Sequence, residues 1–155
     1  PELAPEKIPV TGFAKPVVNE LVEVNGGAVR MTCVSMGNPH CVVFCRNLDT
    51  LPLDKIGPLF ERHPLFPERI NTEFVEVIDR RTVRMRVWER GSGETMACGT
   101  GACASAVAAV RRGFCDKDAD ITVRLLGGDL QIRYTDETVY MTGEAKTVFT
   151  GEIDV

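Results

Sequence analysis

The sequence predicts an α+β fold in which a curved, mostly antiparallel or mixed β-sheet wraps around a central, alanine-rich helix. The first observation behind this prediction is a series of short β-branched or alternating runs, which turn residues separate along most of the chain. The second is the segment Met96–Val110, which holds no charged residue and consists mainly of small side chains. A helix that is apolar on every side has no face for water, so the strands must enclose it.

The first 20 residues hold four of the nine prolines and show little periodicity, so we expect a linker followed by the first strand. The chain starts with Pro1 rather than Met, which indicates a fragment of a longer protein. Its length of 155 residues suits one domain, and we predict a single domain over residues 1–155.

Eight further segments have the composition of strands, because β-branched and aromatic residues either alternate with polar residues or run together in them. In Val83–Val87, apolar residues alternate with arginines, which is typical of a half-exposed strand. The predicted strands are Ala28–Ser35, Cys41–Arg46, Glu73–Asp79, Val83–Glu89, Ile121–Leu126, Leu130–Thr135, Thr138–Thr142 and Thr147–Glu152.

Two helices are predicted. The first covers Leu53–Arg62, with Asp54 in its first turn and Pro58 within its span. The second is the uncharged segment, which ends in Arg111–Gly113, two cations followed by a glycine suited to a left-handed cap. At roughly 22 Å this helix is too short to cross a membrane, so it belongs inside the protein.

The composition argues against several classes of function. The net charge is −4 and the isoelectric point is near 5.3, which argues against a nucleic-acid surface. No segment has the features of a membrane span or a signal peptide, so we expect a cytoplasmic protein without membrane contact. The six cysteines form no Cys-x-x-Cys pair and there are only two histidines, which favours reduced thiols and no metal site.

Most of these thiols are expected to be inert core residues, and Cys98 is the exception. It precedes Gly99, Thr100 and Gly101 at the start of the second helix, where free backbone N–H groups carry partial positive charge. This position is expected to lower the pKa of the thiol and to bind an anion such as a carboxylate. Each glycine in a helix lowers the stability by roughly 1 kcal/mol relative to alanine, so two of them at this position indicate a ligand that lies close to the backbone. The alternative explanation is a strand that crosses the helix closely at this point.

Two further groups of polar residues accompany this cysteine. Arg90 suits a substrate carboxylate and Glu89 suits an ammonium group, whereas a surface ion pair is the alternative for both. Asn38 precedes Pro39, which favours an extended conformation that fixes the direction of the amide. His40 either belongs to the site or is a hydrogen-bonded core residue. Together these groups favour a functional site more than each does alone.

Three motifs, in this order, strongly resemble the C-terminal half of diaminopimelate epimerase: Gly37–His40, Asn71–Phe74 and the long block Glu89–Gly101. The long block is the specific part, since Cys-Gly-Thr-Gly alone also suits relatives such as proline racemase and phenazine-pathway isomerases. The resemblance covers most of the chain, including Leu65–Pro67. It implies a sheet curled around a central helix in each of two pseudo-symmetric halves, in agreement with the fold predicted above.

The resemblance implies an isomerase of lysine biosynthesis that interconverts LL- and meso-diaminopimelate without a cofactor or a metal, using two cysteines on opposite faces of the α-carbon. Cys98 matches the second catalytic cysteine, and His40 and Glu89 match the residues that tune the acidity of the cysteines. The substrate contacts that the resemblance implies are Asn38, Asn71, Glu89, Arg90, Gly99 and Thr100.

The family's first cysteine lies in an N-terminal half that this sequence does not contain. Inversion of a stereocentre needs a base on one face and an acid on the other, and the remaining cysteines are expected in the core or at the far end of the helix. We therefore expect the chain to be inactive alone and to act with the missing half; a homodimer is compatible with the sequence. Two alternatives are a cysteine hydrolase in which His40 activates Cys98, and a non-catalytic isomerase-like binding module.

Overall fold

The strands form one nine-stranded, mixed sheet, which the computed structural model describes over residues 1–154. Eight strands follow the spatial order β1-β2-β3-β4-β5-β7-β8-β9, and β6 pairs with β5 outside this path. Neighbours are antiparallel except β3 with β4 and β5 with β7, which are parallel. The strands are β1 (Val18–Val24), β2 (Gly27–Ser35), β3 (Pro39–Phe44), β4 (Asn71–Asp79), β5 (Thr82–Glu89), β6 (Gly93–Thr95), β7 (Asp120–Leu125), β8 (Gly128–Tyr134) and β9 (Val139–Thr142).

Two α-helices supply the connections that the parallel pairs require. A parallel pair needs a crossover rather than a hairpin, and α1 (Leu53–Glu61) lies in the connection from β3 to β4. The second crossover, from β5 to β7, contains β6 and α2 (Gly99–Arg111). Short 3₁₀ turns occur at Pro5–Lys7 and Leu48–Thr50. Neither α-helix of the described residues combines the length and the apolarity that a bilayer crossing demands.

The sheet curls around α2, as the sequence predicts. This helix packs against β2, β3, β4, β5, β7, β8 and β9, so strands from both ends of the sheet reach it. All residues from Gly101 to Ala109 are buried. Their small side chains let the surrounding strands approach the helix on every side, which confirms the predicted α+β architecture.

The middle of the sheet is buried on both faces. Val34 and Val42 pack towards α2, whereas their neighbours Cys33 and Cys41 belong to a second core that includes residues of α1. Successive side chains of a strand point to opposite faces, so β2 and β3 contribute to both cores. This explains why the buried segments Met31–Ser35 and Pro39–Val43 show no alternation of buried and exposed residues.

The first 20 residues are part of the fold rather than a linker. Ile8 and Val17 are fully buried and Val10 is nearly so, all in the core on the α1 side of the sheet. These aliphatic side chains anchor the segment despite its prolines. The first strand begins only at Val18 and extends to Val24, beyond the predicted boundary at residue 20.

The predicted strand Thr147–Glu152 is wrong. Residues 143–154 form neither helix nor strand, and Val148, Phe149 and Ile153 are 89%, 83% and 88% exposed. The sequence has a strand-like composition, but none of the described strands pairs with it, and a strand requires a neighbour for its backbone groups. The other predicted strands and α1 are present with shifted ends. The second helix starts at Gly99 rather than Met96, because Cys98 caps it.

Replacing Ala106 with leucine tests the enclosure of α2. Ala106 is fully buried, and the larger side chain must displace surrounding strands. We expect the free energy of unfolding to fall by roughly 1–3 kcal/mol, measured by urea denaturation. The control is Ala28→Leu at an exposed position of β2, which is expected to change stability by less than about 0.5 kcal/mol. An Ala106→Leu variant as stable as the parent would contradict tight packing around the helix.

Candidate active site

Cys98 lies directly before α2 and caps its first turn. Its backbone is extended, with φ −139° and ψ 107°, and its sulfur accepts a hydrogen bond from the N–H of Gly101 at 3.3 Å. The hydroxyl of Thr100 lies 3.6 Å from the same sulfur. Only 8% of Cys98 is exposed. The sulfur is therefore held among donor groups at the helix N-terminus and is largely shielded from water.

The pKa of the Cys98 thiol is raised, which corrects the expectation from its position at a helix N-terminus. Burial is the main cause, and the negative charges of Glu73 and Glu89 add to the rise. The hydrogen bonds from Thr100 and Gly101 act in the opposite direction but do not compensate for burial. With a raised pKa, the Cys98 sulfur is a thiol at neutral pH.

A series of hydrogen bonds joins the sulfur to the interior of the sheet. The Nδ2 atom of Asn38 donates to the Thr100 hydroxyl at 3.2 Å, and Asn38 Oδ1 lies 3.0 Å from His40 Nε2. His40 Nδ1 lies 2.7 Å from Glu73 Oε1, and both of these residues are fully buried. We call Glu73, His40, Asn38, Thr100 and Cys98 the Glu73–Cys98 network.

The position of His40 argues against the cysteine-hydrolase alternative. Activation of a cysteine nucleophile requires a ring nitrogen within hydrogen-bond reach of the sulfur. Both ring nitrogens of His40 are engaged instead, one with Asn38 and the other with Glu73. His40 therefore reaches Cys98 only through Asn38 and Thr100.

Packing accounts for the glycines of the first helical turn. A Cβ atom at Gly101 would lie 2.7 Å from Glu73 Oε1 and 3.1 Å from the Cys98 sulfur. At Gly99, a Cβ atom would lie 3.2 Å from the sulfur of Met141. The Gly101 position thus admits the carboxyl group of Glu73 to the helix terminus. This close approach replaces the expectation that a ligand alone explains the glycine at this position.

Asn71 and Glu89 are engaged in hydrogen bonds within the protein. Asn71 is buried, accepts from the backbone N–H of Arg90 at 2.9 Å and donates to the carbonyl of Pro39 at 2.9 Å. The half-buried carboxylate of Glu89 accepts from the hydroxyl of Thr95, in the short strand β6. Asn71 thus ties the end of β5 to the start of β3.

The guanidinium of Arg90 is exposed and donates to the carbonyl of Glu68 at 3.0 Å.

Glu61, a buried residue at the end of α1, supports the turn that follows β5. It accepts from Trp88 Nε1 at 2.8 Å and from the N–H of Gly91 at 3.1 Å. Burial favours a higher pKa for Glu61, but these hydrogen bonds and the charges of Arg69 and Arg62 outweigh burial and lower it. The carboxylate therefore fixes the backbone next to Arg90.

Sheet topology explains why residues distant in sequence meet at this point. The parallel register of β3 and β4 places His40 opposite Asn71, and the antiparallel register of β4 and β5 places Thr72 opposite Trp88. The starts of β3 and β4 and the end of β5 therefore lie at one edge of the sheet. The N-terminus of α2 reaches the same edge, and so the structure brings together Asn38, His40, Glu73 and Cys98 in one hydrogen-bonded group.

Sequence reasoning did not single out Glu73 or Glu61 as site residues. The sequence gives no clear signal for Glu73, because β4 contains two glutamates and an aspartate, and only the structure shows that Glu73 lies in the buried first half of the strand. Glu61 gives no signal either, since it occupies the last turn of an amphipathic helix where charged residues are common.

None of the other five cysteines is hydrogen-bonded to the Cys98 sulfur, whose partners are Thr100 and Gly101. Cys103 lies deeper in α2, and Cys33 faces Cys41 across β2 and β3. Burial raises the pKa of Cys45 and of Cys115 to about 11. Within residues 1–154, no group of three His, Cys, Asp or Glu side chains suits a metal ion.

The raised pKa of Cys98 predicts slow alkylation at neutral pH that accelerates as the pH rises, because only the thiolate reacts. Glu89→Gln removes one negative charge that raises this pKa. We therefore expect faster modification of Cys98 by iodoacetamide in this variant at neutral pH, measured by peptide mass spectrometry. Glu76→Gln, which changes a carboxylate farther along β4, is the control. Equal rates in all three proteins would contradict the electrostatic effect.

Comparisons with known proteins identify relatives of this chain. The family model for diaminopimelate epimerase matches residues 32–148. Proteins named diaminopimelate epimerase from Acetivibrio thermocellus and Methanococcus maripaludis are 57% and 54% identical to the whole chain, which covers 55% and 56% of their lengths. A solved PhzF-family phenazine biosynthesis protein from Bacillus anthracis matches 68% of the chain and 34% of its own, with 25% identity and a TM-score of 0.48.

The chain thus spans about half the length of the curated relatives it matches. The family model and the full-length alignment of the chain to these relatives lead to the same assignment. The chain belongs to the diaminopimelate epimerase family.

Proposed function

We propose that this chain is the C-terminal half of a diaminopimelate epimerase, in which Cys98 is one of two acid–base cysteines that interconvert the LL and meso forms. The observation that carries the proposal is the Cys98 sulfur at the N-terminus of α2, hydrogen-bonded to Gly101 and within 3.6 Å of the Thr100 hydroxyl. Membership of the family supports diaminopimelate as the substrate, because the relatives are named for their action on it.

The helix terminus suits the reaction because removal of an α-proton leaves negative charge that the carboxylate must accept. Preorganised donors stabilise such charge most effectively in a site that excludes water. In the proposed complex, the N–H groups of Gly99 and Thr100 bind the α-carboxylate next to Cys98. Arg90 is proposed to bind a carboxylate, and Glu89 to accept a hydrogen bond from an ammonium group.

The raised pKa of Cys98 fits the role of proton donor. In a two-cysteine epimerase, one sulfur removes the α-proton as a thiolate while the other delivers a proton as a thiol, and the roles reverse in the other direction. As a thiol, Cys98 is ready for the direction of the reaction in which it delivers the proton to the α-carbon. In the reverse direction, its thiolate is stabilised by the donors Thr100 and Gly101.

The second cysteine is proposed to come from outside this chain. A group acting on the opposite face of the α-carbon must face Cys98 across the substrate, whereas Cys103 lies buried further along the same helix. Cys115 follows the far end of α2, roughly 20 Å from its start. The missing N-terminal half is therefore the proposed partner, with residues 1–155 acting as one domain.

Replacing Cys98 in the complete two-half enzyme tests the proposal. We expect Cys98→Ser to lower epimerisation by about 10²–10⁴-fold, because a positioned acid–base group is lost. The measurements are interconversion of LL- and meso-diaminopimelate and incorporation of solvent deuterium at the α-carbon. Cys45→Ser, at a half-buried cysteine on the α1 side of the sheet, is the control. A Cys98→Ser enzyme with the control's activity would rule out the proposed role.

The 155-residue chain by itself is expected to show no epimerisation, and addition of the N-terminal half is expected to restore it. The same assay, run with the chain, the other half and their mixture, measures this dependence. Turnover by the chain alone would contradict the need for a second group from outside. If the mixture binds diaminopimelate by calorimetry without exchanging its α-proton, the binding-module alternative replaces the enzymatic one.

A further inference from the structure

Glu73 is a buried carboxyl group to which the proposed reaction assigns no role. It is fully buried in β4, and its Oε1 atom lies 2.7 Å from His40 Nδ1. Its Oε2 atom has no hydrogen-bond partner among the described residues. A buried carboxyl oxygen without a partner destabilises a fold, so stability alone does not account for this residue.

The atoms of the Glu73–Cys98 network determine the direction of its hydrogen bonds. Asn38 Nδ2 donates to Thr100 Oγ1, and therefore Asn38 Oδ1, which only accepts, faces His40 Nε2. Nε2 must then carry a proton. The contact between His40 Nδ1 and Glu73 Oε1 also needs one proton, on the ring or on the carboxyl group. The pair thus holds two protons in total.

This direction leaves the hydroxyl hydrogen of Thr100 for the sulfur. Because Thr100 Oγ1 accepts from Asn38, its own hydrogen is free to point to Cys98 Sγ at 3.6 Å. Each group then donates to the next, from His40 through Asn38 and Thr100 to the sulfur. A sulfur that accepts from both Thr100 and Gly101 is stabilised as a thiolate.

The opposite direction requires the Asn38 amide to turn so that Nδ2 donates to His40 Nε2. His40 then carries its single proton on Nδ1 and donates it to the Glu73 carboxylate, and Thr100 no longer accepts a hydrogen bond from Asn38 Nδ2. The position of the proton on the His40 ring therefore distinguishes the two directions.

We propose that Glu73 is a positioning residue that holds the His40 ring with a proton on Nε2 and so orients Asn38 and Thr100 as hydrogen-bond donors towards the Cys98 sulfur. The effect of Glu73 on catalysis rests on the function proposed above. The effect of Glu73 on His40 is independent of that function, because the protonation of the His40 ring is measurable without turnover.

Nitrogen NMR of the chain labelled with ¹⁵N-histidine tests this directly. The chain has only two histidines, His40 and His63, so their signals can be assigned with a His63→Gln variant. In the folded chain at neutral pH, we expect His40 to carry a proton on Nε2. A bare Nε2 with a proton only on Nδ1 in this state would overturn the proposal.

Two substitutions of Glu73 extend the test to catalysis in the complete enzyme. Glu73→Ala leaves Nδ1 without its partner, and we expect kcat to fall about 10- to 100-fold, the range found for groups that orient a functional histidine. Glu73→Gln is expected to recover most of kcat, since its amide N–H can donate to Nδ1 and keep the proton on Nε2. Glu76→Ala and Glu76→Gln on the same strand are the matched controls.

The results of these experiments distinguish the positioning role of Glu73 from the proposed epimerase function. Full kcat in a folded Glu73→Ala enzyme, with Nε2 still protonated, would overturn the positioning role while leaving the epimerase intact. Failure of the Cys98 test would overturn the function, whereas the NMR result would still report on Glu73. If Glu73→Ala does not fold, the NMR signals of the parent and of Glu73→Gln decide, and a bare Nε2 in both would reject the proposal.

Discussion

The burial of the uncharged helix α2 is the constraint on which the rest of the molecule depends. Because no side of this helix tolerates water, strands from both ends of the sheet must close around it, and only its ends approach the surface. The N-terminal end carries the unpaired backbone donors that every helix leaves there. The same packing that forms the core therefore places Cys98 among those donors, at the edge where β3, β4 and β5 meet.

The electrostatics of the site result from a balance between burial and hydrogen bonding. Burial keeps the Cys98 sulfur protonated, while Thr100 and Gly101 favour its thiolate. Glu61 shows the opposite result, since its hydrogen bonds and neighbouring arginines outweigh burial. The pKa of Cys98 is thus raised and that of Glu61 lowered, although both residues are buried near one sheet edge. The difference follows from the hydrogen bonds and neighbouring charges of each group, not from depth alone.

Much of the architecture follows from local sequence signals. The uncharged helix, its glycine-rich start and the alternating strand Thr82–Glu89 are visible because burial imposes patterns on the residues themselves. The raised pKa of Cys98 is not predictable from local sequence, because it depends mainly on the burial of the sulfur and also on Glu73 and Glu89, which the sheet brings near it. The buried role of Ile8 and Val17 was also missed, since their neighbouring prolines suggested a linker and only tertiary contacts show otherwise.

The extended segment after β9 has a practical consequence for work with this chain. Val148, Phe149 and Ile153 present apolar side chains to water from a backbone that pairs with no described strand. Such a segment is a template for intermolecular β-pairing, so the chain is prone to concentration-dependent self-association. Dilute solutions therefore suit the isolated chain best.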